Sequence, residues 1–177
     1  ESYGFLCEDF VRDKDAVSAC VILAEIAAWA KDQGLSLYQL LQKIYVEYGF
    51  SKEKGISVVK KGKSGAEEIE AMMKKFRENP LTEIAGSKVT YFYDYSTLKG
   101  KDYAENETVT LDMPTTSNVL QYFTEDNTKV SIRPSGTEPK IKFYCEVHSK
   151  VKSIDELPEA EKAAEEKINQ IKASLGI

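Results

Sequence analysis

Lys140-Ile141-Lys142-Phe143-Tyr144-Cys145-Glu146-Val147-His148 alternates without a break, with Ile141, Phe143, Cys145 and Val147 on one side and Lys142, Tyr144, Glu146 and His148 on the other. A period of two residues is that of a strand with one face against a core and the other in water. Upstream, residues 128–133 and 119–123 read as two more strands, joined by the turn Glu125-Asp126-Asn127. Residues 88–95 alternate in the same way and are rich in β-branched and aromatic side chains, and residues 56–60 make a short strand. Between these lies a helix that opens at a Ser64/Glu67 capping box, gathers Ala66, Ile69, Met72, Met73 and Phe76 on one face, and ends at Asn79-Pro80. Residues 96–117 show no clean period and read as a long loop. After the quoted strand, residues 158–175 align Ala160, Ala164, Ile168, Ile171 and Leu175 as a final helix, with Gly176 past its end. The order β-α-β-β-β-β-α predicts an α+β fold, an antiparallel sheet with helices packed on one face.

The first fifty residues follow a different pattern. Residues 15–31 are apolar almost all round, with Asp13 or Asp15 available as N-cap and Gly34 as a left-handed stop, which predicts a helix buried on most sides. The capping box Ser36-Leu37-Tyr38-Gln39 then starts a second helix carrying Leu40, Leu41, Ile44, Tyr45 and Tyr48, ended by Gly49. So short a link makes the two a hairpin, and their apolar content exceeds what two helices need for each other. The charged patch at residues 51–55 is the expected boundary between a helical unit, 1–50, and a second domain, 51–177.

Composition excludes several classes. The 177 residues are 42% hydrophobic and 30% charged, the profile of an ordinary globular protein. The longest apolar stretch, residues 16–30, is broken by Ser18 and Glu25 and is too short for a bilayer, so no membrane partner is expected. Cys7, Cys20 and Cys145 are odd in number and scattered, which fits neither a disulfide framework nor a zinc site and points to the reducing cytoplasm. His148 is the only histidine and reads as an ordinary strand residue. A net charge of −5 speaks against a nucleic-acid partner. Against that background, residues 129–152 hold six basic side chains and two acidic ones. That local excess marks an anion site.

The centre of the basic stretch is Arg133-Pro134-Ser135-Gly136-Thr137-Glu138-Pro139-Lys140, a connection between two neighbouring strands and so displayed at the end of the sheet. Its composition suits a phosphate. Arg133 offers a permanently charged planar fork, Ser135 and Thr137 supply hydroxyls, Gly136 lets the backbone bend so that successive N–H groups converge, and Pro134 and Pro139 limit the loop's freedom. Pro-Ser-Gly is also an ordinary turn, so composition leaves both readings open.

The string from Arg133 to Tyr144, Arg-Pro-Ser-Gly-Thr-Glu-Pro-Lys-Ile-Lys-Phe-Tyr, resembles the phosphate-binding signature in the last domain of the α-D-phosphohexomutases, the phosphoglucomutases and phosphomannomutases. Glu1-Ser2-Tyr3-Gly4 resembles the tail of that family's sugar-binding motif Gly-Glu-Glu-Ser-Tyr/Phe-Gly, and Phe10-Val-Arg-Asp-Lys-Asp-Ala16 the segment that follows it. Ile44-Tyr-Val-Glu-Tyr-Gly49 is similar to the phosphoglucomutase/phosphopentomutase branch. The resemblance spans nearly the whole chain. It implies a four-domain parent represented here by the end of its third domain and its entire fourth, with the missing N-terminal domains of the same chain as partners.

In such an enzyme, a phosphosugar mutase, a phosphoserine in the first domain exchanges its phosphoryl group with the sugar through a bisphosphate intermediate, and Mg²⁺ assists from an Asp-x-Asp-x-Asp motif in the second. Neither motif occurs in this sequence, so the resemblance implies neither Mg²⁺ binding nor mutase activity for this stretch alone. It assigns the non-reacting substrate phosphate to Arg133, Ser135, Gly136 and Thr137, with Lys142 added from the same solvent face as Lys140. Glu1 and Ser2 would contact sugar hydroxyls, the motif's first Glu falling before residue 1. Lys14 matches a lysine near the sugar and is a possible auxiliary to catalysis, although Arg12-Asp13-Lys14-Asp15 also reads as a capped, solvated helix start.

Two other functions fit parts of the chain. Tyr91, Tyr93 and Tyr95 on one face of a sheet could stack bases, but no RNP-type glycine-aromatic motif accompanies them. A non-catalytic assembly piece suits the apolar helices better than it suits the loop.

Overall fold

The computed structural model describes residues 13–60 and 62–177. Helices α1 (Ala16–Asp32) and α2 (Leu37–Tyr48) come first, then β1 (Phe50–Val59), α3 (Gly62–Glu78), β2 (Glu83–Ile84) and β3 (Ser87–Asp94). The chain continues with β4 (Lys99–Asp102), β5 (Glu107–Thr110), β6 (Leu120–Thr124), β7 (Lys129–Pro134), β8 (Lys140–Ser149), a 3-10 turn (Ile154–Glu156) and α4 (Leu157–Leu175). The strands form one antiparallel sheet ordered β1-β8-β7-β6-β3-β4-β5, with β2 paired to β3 off that path. The fold is α+β, as the alternation predicts.

The alternation in β8 sets the core. Ile141, Phe143, Cys145 and Val147 are buried, and both large helices cover that face. Phe76 of α3 meets Phe143 edge-on, ring centroids 6.1 Å apart, while Ile168 and Ile171 of α4 are fully enclosed. Tyr122 of β6 is also enclosed, and its hydroxyl donates to the Phe76 carbonyl at 2.9 Å, tying the end of α3 to the sheet. Burial drives the Tyr122 phenol well above the ordinary tyrosine range, so it stays protonated and available as a donor. Buried among apolar side chains, the Cys145 thiol is pushed up to about 11 and is chemically inert.

Four local expectations need correction. The strand expected at residues 56–60 is longer: residues 51–55 belong to it, as part of β1, which pairs with β8 along its whole length. Their charged character reflects an edge strand, where lysine and glutamate discourage further pairing. Its Lys52 reaches Glu161 at 2.7 Å and Glu165 at 3.1 Å on α4. Residues 96–117 contain the hairpin β4–β5 at the other edge, too short and too polar to show a period. There Gly100 lies under the Tyr93 ring, where a Cβ would come within 2.5 Å of Cδ1. Helix α3 begins at Gly62, ahead of the expected cap at Ser64.

The fourth correction concerns α1, which is not buried on most sides. Asp15 caps it by accepting from the Val17 and Ser18 N–H groups, and the Ser36/Gln39 capping box opens α2. Within this chain α1 packs mainly on α2, and of its residues only Ala30 is buried. Val17 is 74% exposed and Trp29 55%.

Candidate functional site

Strands β7 and β8 run in register to Pro134 opposite Ile141, and the connection between them forms the candidate site. Backbone bonds hold it at three places. The Ser135 N–H donates to the Lys140 carbonyl at 2.8 Å, the Lys140 N–H to the Glu138 carbonyl at 2.7 Å, and the Lys60 N–H at the end of β1 to the Pro139 carbonyl at 2.9 Å. The loop is thus tied to β1 as well as to its own strands. Glu138 forms an ion pair with Lys140, whose hydrogen bond and charge hold the Glu138 carboxyl below the usual glutamate range.

Arg133 and Lys142 are cross-strand partners on the open face of the sheet, so their side chains leave the same side of the backbone next to each other. Arg133 is exposed and Lys142 half-buried. Ser135 instead lines a groove of about 500 Å³ between the loop and α3, along with Ile69, Met73, Arg77, Asn118 and Glu138. Gly136 and Thr137 form the exposed tip between the two sides. A Cβ on Gly136 would meet nothing within 4 Å, and its φ is outside the left-handed region. The bend therefore does not require glycine there, contrary to the reason drawn from the sequence.

Of the other expected site residues, Glu1 and Ser2 lie outside the described residues. Lys14 sits exposed ahead of α1, its N–H donating to Asp13 Oδ1 at 2.8 Å, and is not part of the groove lining. His148 is exposed, 3.2 Å from Glu146, as an ordinary strand residue would be.

Sequence reading passed over Arg77, Asn118 and Lys60. Arg77 on α3 donates from Nε to Asp94 at 2.9 Å and from Nη2 to Asn118 at 2.8 Å, closing one end of the groove. Burial alone would raise the Asp94 carboxyl, but hydrogen bonds from Ser96 and Arg77 outweigh it and the net shift is downward. No periodicity signals contacts between residues so far apart. Among the described residues, no group of three or more His, Cys, Asp or Glu side chains is arranged to hold a metal ion. The described residues offer no such site for Mg²⁺.

The family profile for the phosphoglucomutase/phosphomannomutase C-terminal domain matches residues 56–164, from the end of β1 into the first half of α4. The chain belongs to the phosphoglucomutase/phosphomannomutase family. It is 38% identical over 148 residues to the phosphoglucomutase of Staphylococcus haemolyticus, covering 84% of this chain and 27% of that protein. It is 40% identical over 144 residues to a Staphylococcus aureus phosphoglucomutase, covering 81% of this chain and 26% of that one. This family member therefore spans about a quarter of the length of the curated relatives it matches. A solved structure of the exocytosis-sensitive phosphoprotein pp63/parafusin from Paramecium, in its open form, is similar over 81% of this chain and 24% of its own, at 16% identity and a TM-score of 0.45.

Proposed function

We propose that this chain is the phosphate-gripping part of a phosphosugar mutase, an isomerase that interconverts sugar 1- and 6-phosphates, or pentose 1- and 5-phosphates, by intramolecular phosphoryl transfer. The observation that carries the reading is the pairing of Arg133 with Lys142 at the root of a loop anchored by backbone bonds. Like charges placed directly opposite each other disfavour the free sheet and favour a bound anion. Arg133 and Lys142 would grip the phosphate, with Ser135, Gly136 and Thr137 donating from the loop. The gripped group is the phosphate that does not react. Holding it orients the sugar's other end for in-line transfer, and binding energy spent there lowers the cost of positioning.

The nucleophile, the Mg²⁺ site and most of the sugar contacts would lie in parts of a longer protein, consistent with relatives about three times as long. In this reading residues 1–50 end the preceding domain and 51–177 form the phosphate-binding one. The apolar surface of α1 and α2, with Val17 and Tyr48 more than 70% exposed, supports burial against that preceding domain. Free Cys20 and Cys145 fit a reducing, cytoplasmic setting. A nucleic-acid role is disfavoured by the packing of the tyrosine face, where Tyr93 packs against Tyr91 and Phe123 with tilted rings and Tyr95 donates to Gln121 at 2.8 Å.

An amide-shift NMR titration with inorganic phosphate and, separately, glucose 6-phosphate tests the grip. Saturable shifts confined to Ser135, Gly136 and Thr137, lost in Arg133→Ala, are expected. Shifts that persist unchanged in Arg133→Ala would sink the assignment.

A further inference from the structure

The loop's tie to β1 ends at a place where two backbones touch. A Cβ built on Gly65, in the first turns of α3, would lie 2.6 Å from the Lys60 carbonyl carbon, 2.7 Å from its Cβ and 2.9 Å from its carbonyl oxygen. Contacts under 3 Å against backbone atoms cannot be relieved by turning a side chain. Lys60 is also the residue whose N–H donates to the Pro139 carbonyl in the anion loop. It is held to α3 a second time by its Nζ on Glu68 Oε2 at 3.0 Å, and it is fixed on the sheet side by the preceding register pair Val59–Lys140.

We infer that Gly65 is a positioning residue for the anion loop, acting through Lys60 and Pro139. Only a residue without a side chain lets α3 press against the end of β1, and that pressure holds the Lys60 N–H at the Pro139 carbonyl. Any larger residue at 65 must displace Lys60, and the displacement passes through one hydrogen bond to the loop. Gly65 touches no ligand in this arrangement. Its φ lies outside the left-handed region, so backbone strain does not explain the glycine. Helix propensity does not explain it either, since alanine is the better helix former. Close approach is the remaining reason for it.

The inference rests on the loop reading above, and the test separates the two. Gly65→Ala is compared in the 177-residue chain with Gly55→Ala, a β1 glycine whose added Cβ would meet nothing within 4 Å. Amide exchange at Lys60 and the loop shifts with inorganic phosphate are both followed. Gly65→Ala is expected to speed Lys60 exchange and weaken phosphate binding about tenfold, the worth of one well-formed hydrogen bond, while Gly55→Ala changes neither. Lys60→Pro removes the same N–H without touching Gly65 and should reproduce the loss of binding, so a failure of Gly65→Ala to fold leaves the test standing. If the wild-type chain gives no saturable shifts, the loop reading fails and this inference with it. If the wild type binds and Gly65→Ala matches it in both exchange and affinity, the inference alone is overturned.

Discussion

Arg133 and Lys142 face each other directly across β7 and β8, two cations on the same rung of the ladder. Cross-strand like charges cost about 0.2–1 kcal/mol relative to neutral pairs. Binding and stability therefore pull in opposite directions at this position. Arg133→Gln is expected to leave the melting temperature unchanged or slightly higher while weakening phosphate binding about tenfold or more, the scale of a charge-assisted hydrogen bond. Thermal melts and a phosphate titration on the same samples check both halves. A clear loss of stability would mean that Arg133 supports the fold rather than a ligand.

Tyr122 makes a second kind of trade. Its ring is enclosed and its hydroxyl satisfies the Phe76 carbonyl. Tyr122→Phe keeps the ring and leaves that carbonyl without its partner, a cost of about 1–3 kcal/mol. Denaturant unfolding should show a lower midpoint with an unchanged slope. Phosphate binding at the loop should stay as it was. An unshifted midpoint would show that this hydrogen bond does not hold the end of α3.

How much of this was legible in the sequence depended on where each residue's constraint lies. The strands β3, β6, β7 and β8 were readable because each has one face in the core and one outside, which writes a period of two into the chain. The first half of β1 and strand β4 hid for the opposite reason: an edge strand such as β1 carries charges that break the alternation of apolar and polar residues. At the site, Arg133 and Lys142 could be picked out by charge and position. The Lys60–Pro139 tie could not, because it is a backbone bond that either residue could make with any side chain. The error on α1 has a related origin. An apolar helix announces that it should be covered, and its own residues do not say by what.

The Asp94–Arg77 pair predicts a pH dependence whose sign can be worked out. The Asp94 carboxyl is lowered in the folded state, so folding favours its ionised form. The resulting stability is fully present above the unfolded aspartate value, about pH 4, and is lost as pH falls through the depressed folded value. Asp94→Asn removes this contribution at every pH. The gap in melting temperature between wild type and variant should therefore be widest near neutrality and close as pH drops below about 4. A gap that stayed constant to low pH would show that Asp94 acts by shape and neutral hydrogen bonds, not by charge.

The helical hairpin should open before the sheet. Helix α1 buries only Ala30, and an isolated helix of 17 residues is marginal in water. Strand β8 has paired neighbours on both sides and a fully enclosed row of side chains. Native-state hydrogen exchange should accordingly give α1 amides low protection, set by local opening, while the amides of β8 exchange only through global unfolding. Trp29 is the one tryptophan and reports the same event optically. With its ring half-exposed, iodide should quench its fluorescence readily, and denaturant should shift its signal at lower concentration than the signal from the sheet. The two transitions would coincide only if α1 and α2 were cooperative with the sheet. Coincidence would therefore contradict the proposed division at residue 50 and make the hairpin part of the phosphate-binding domain.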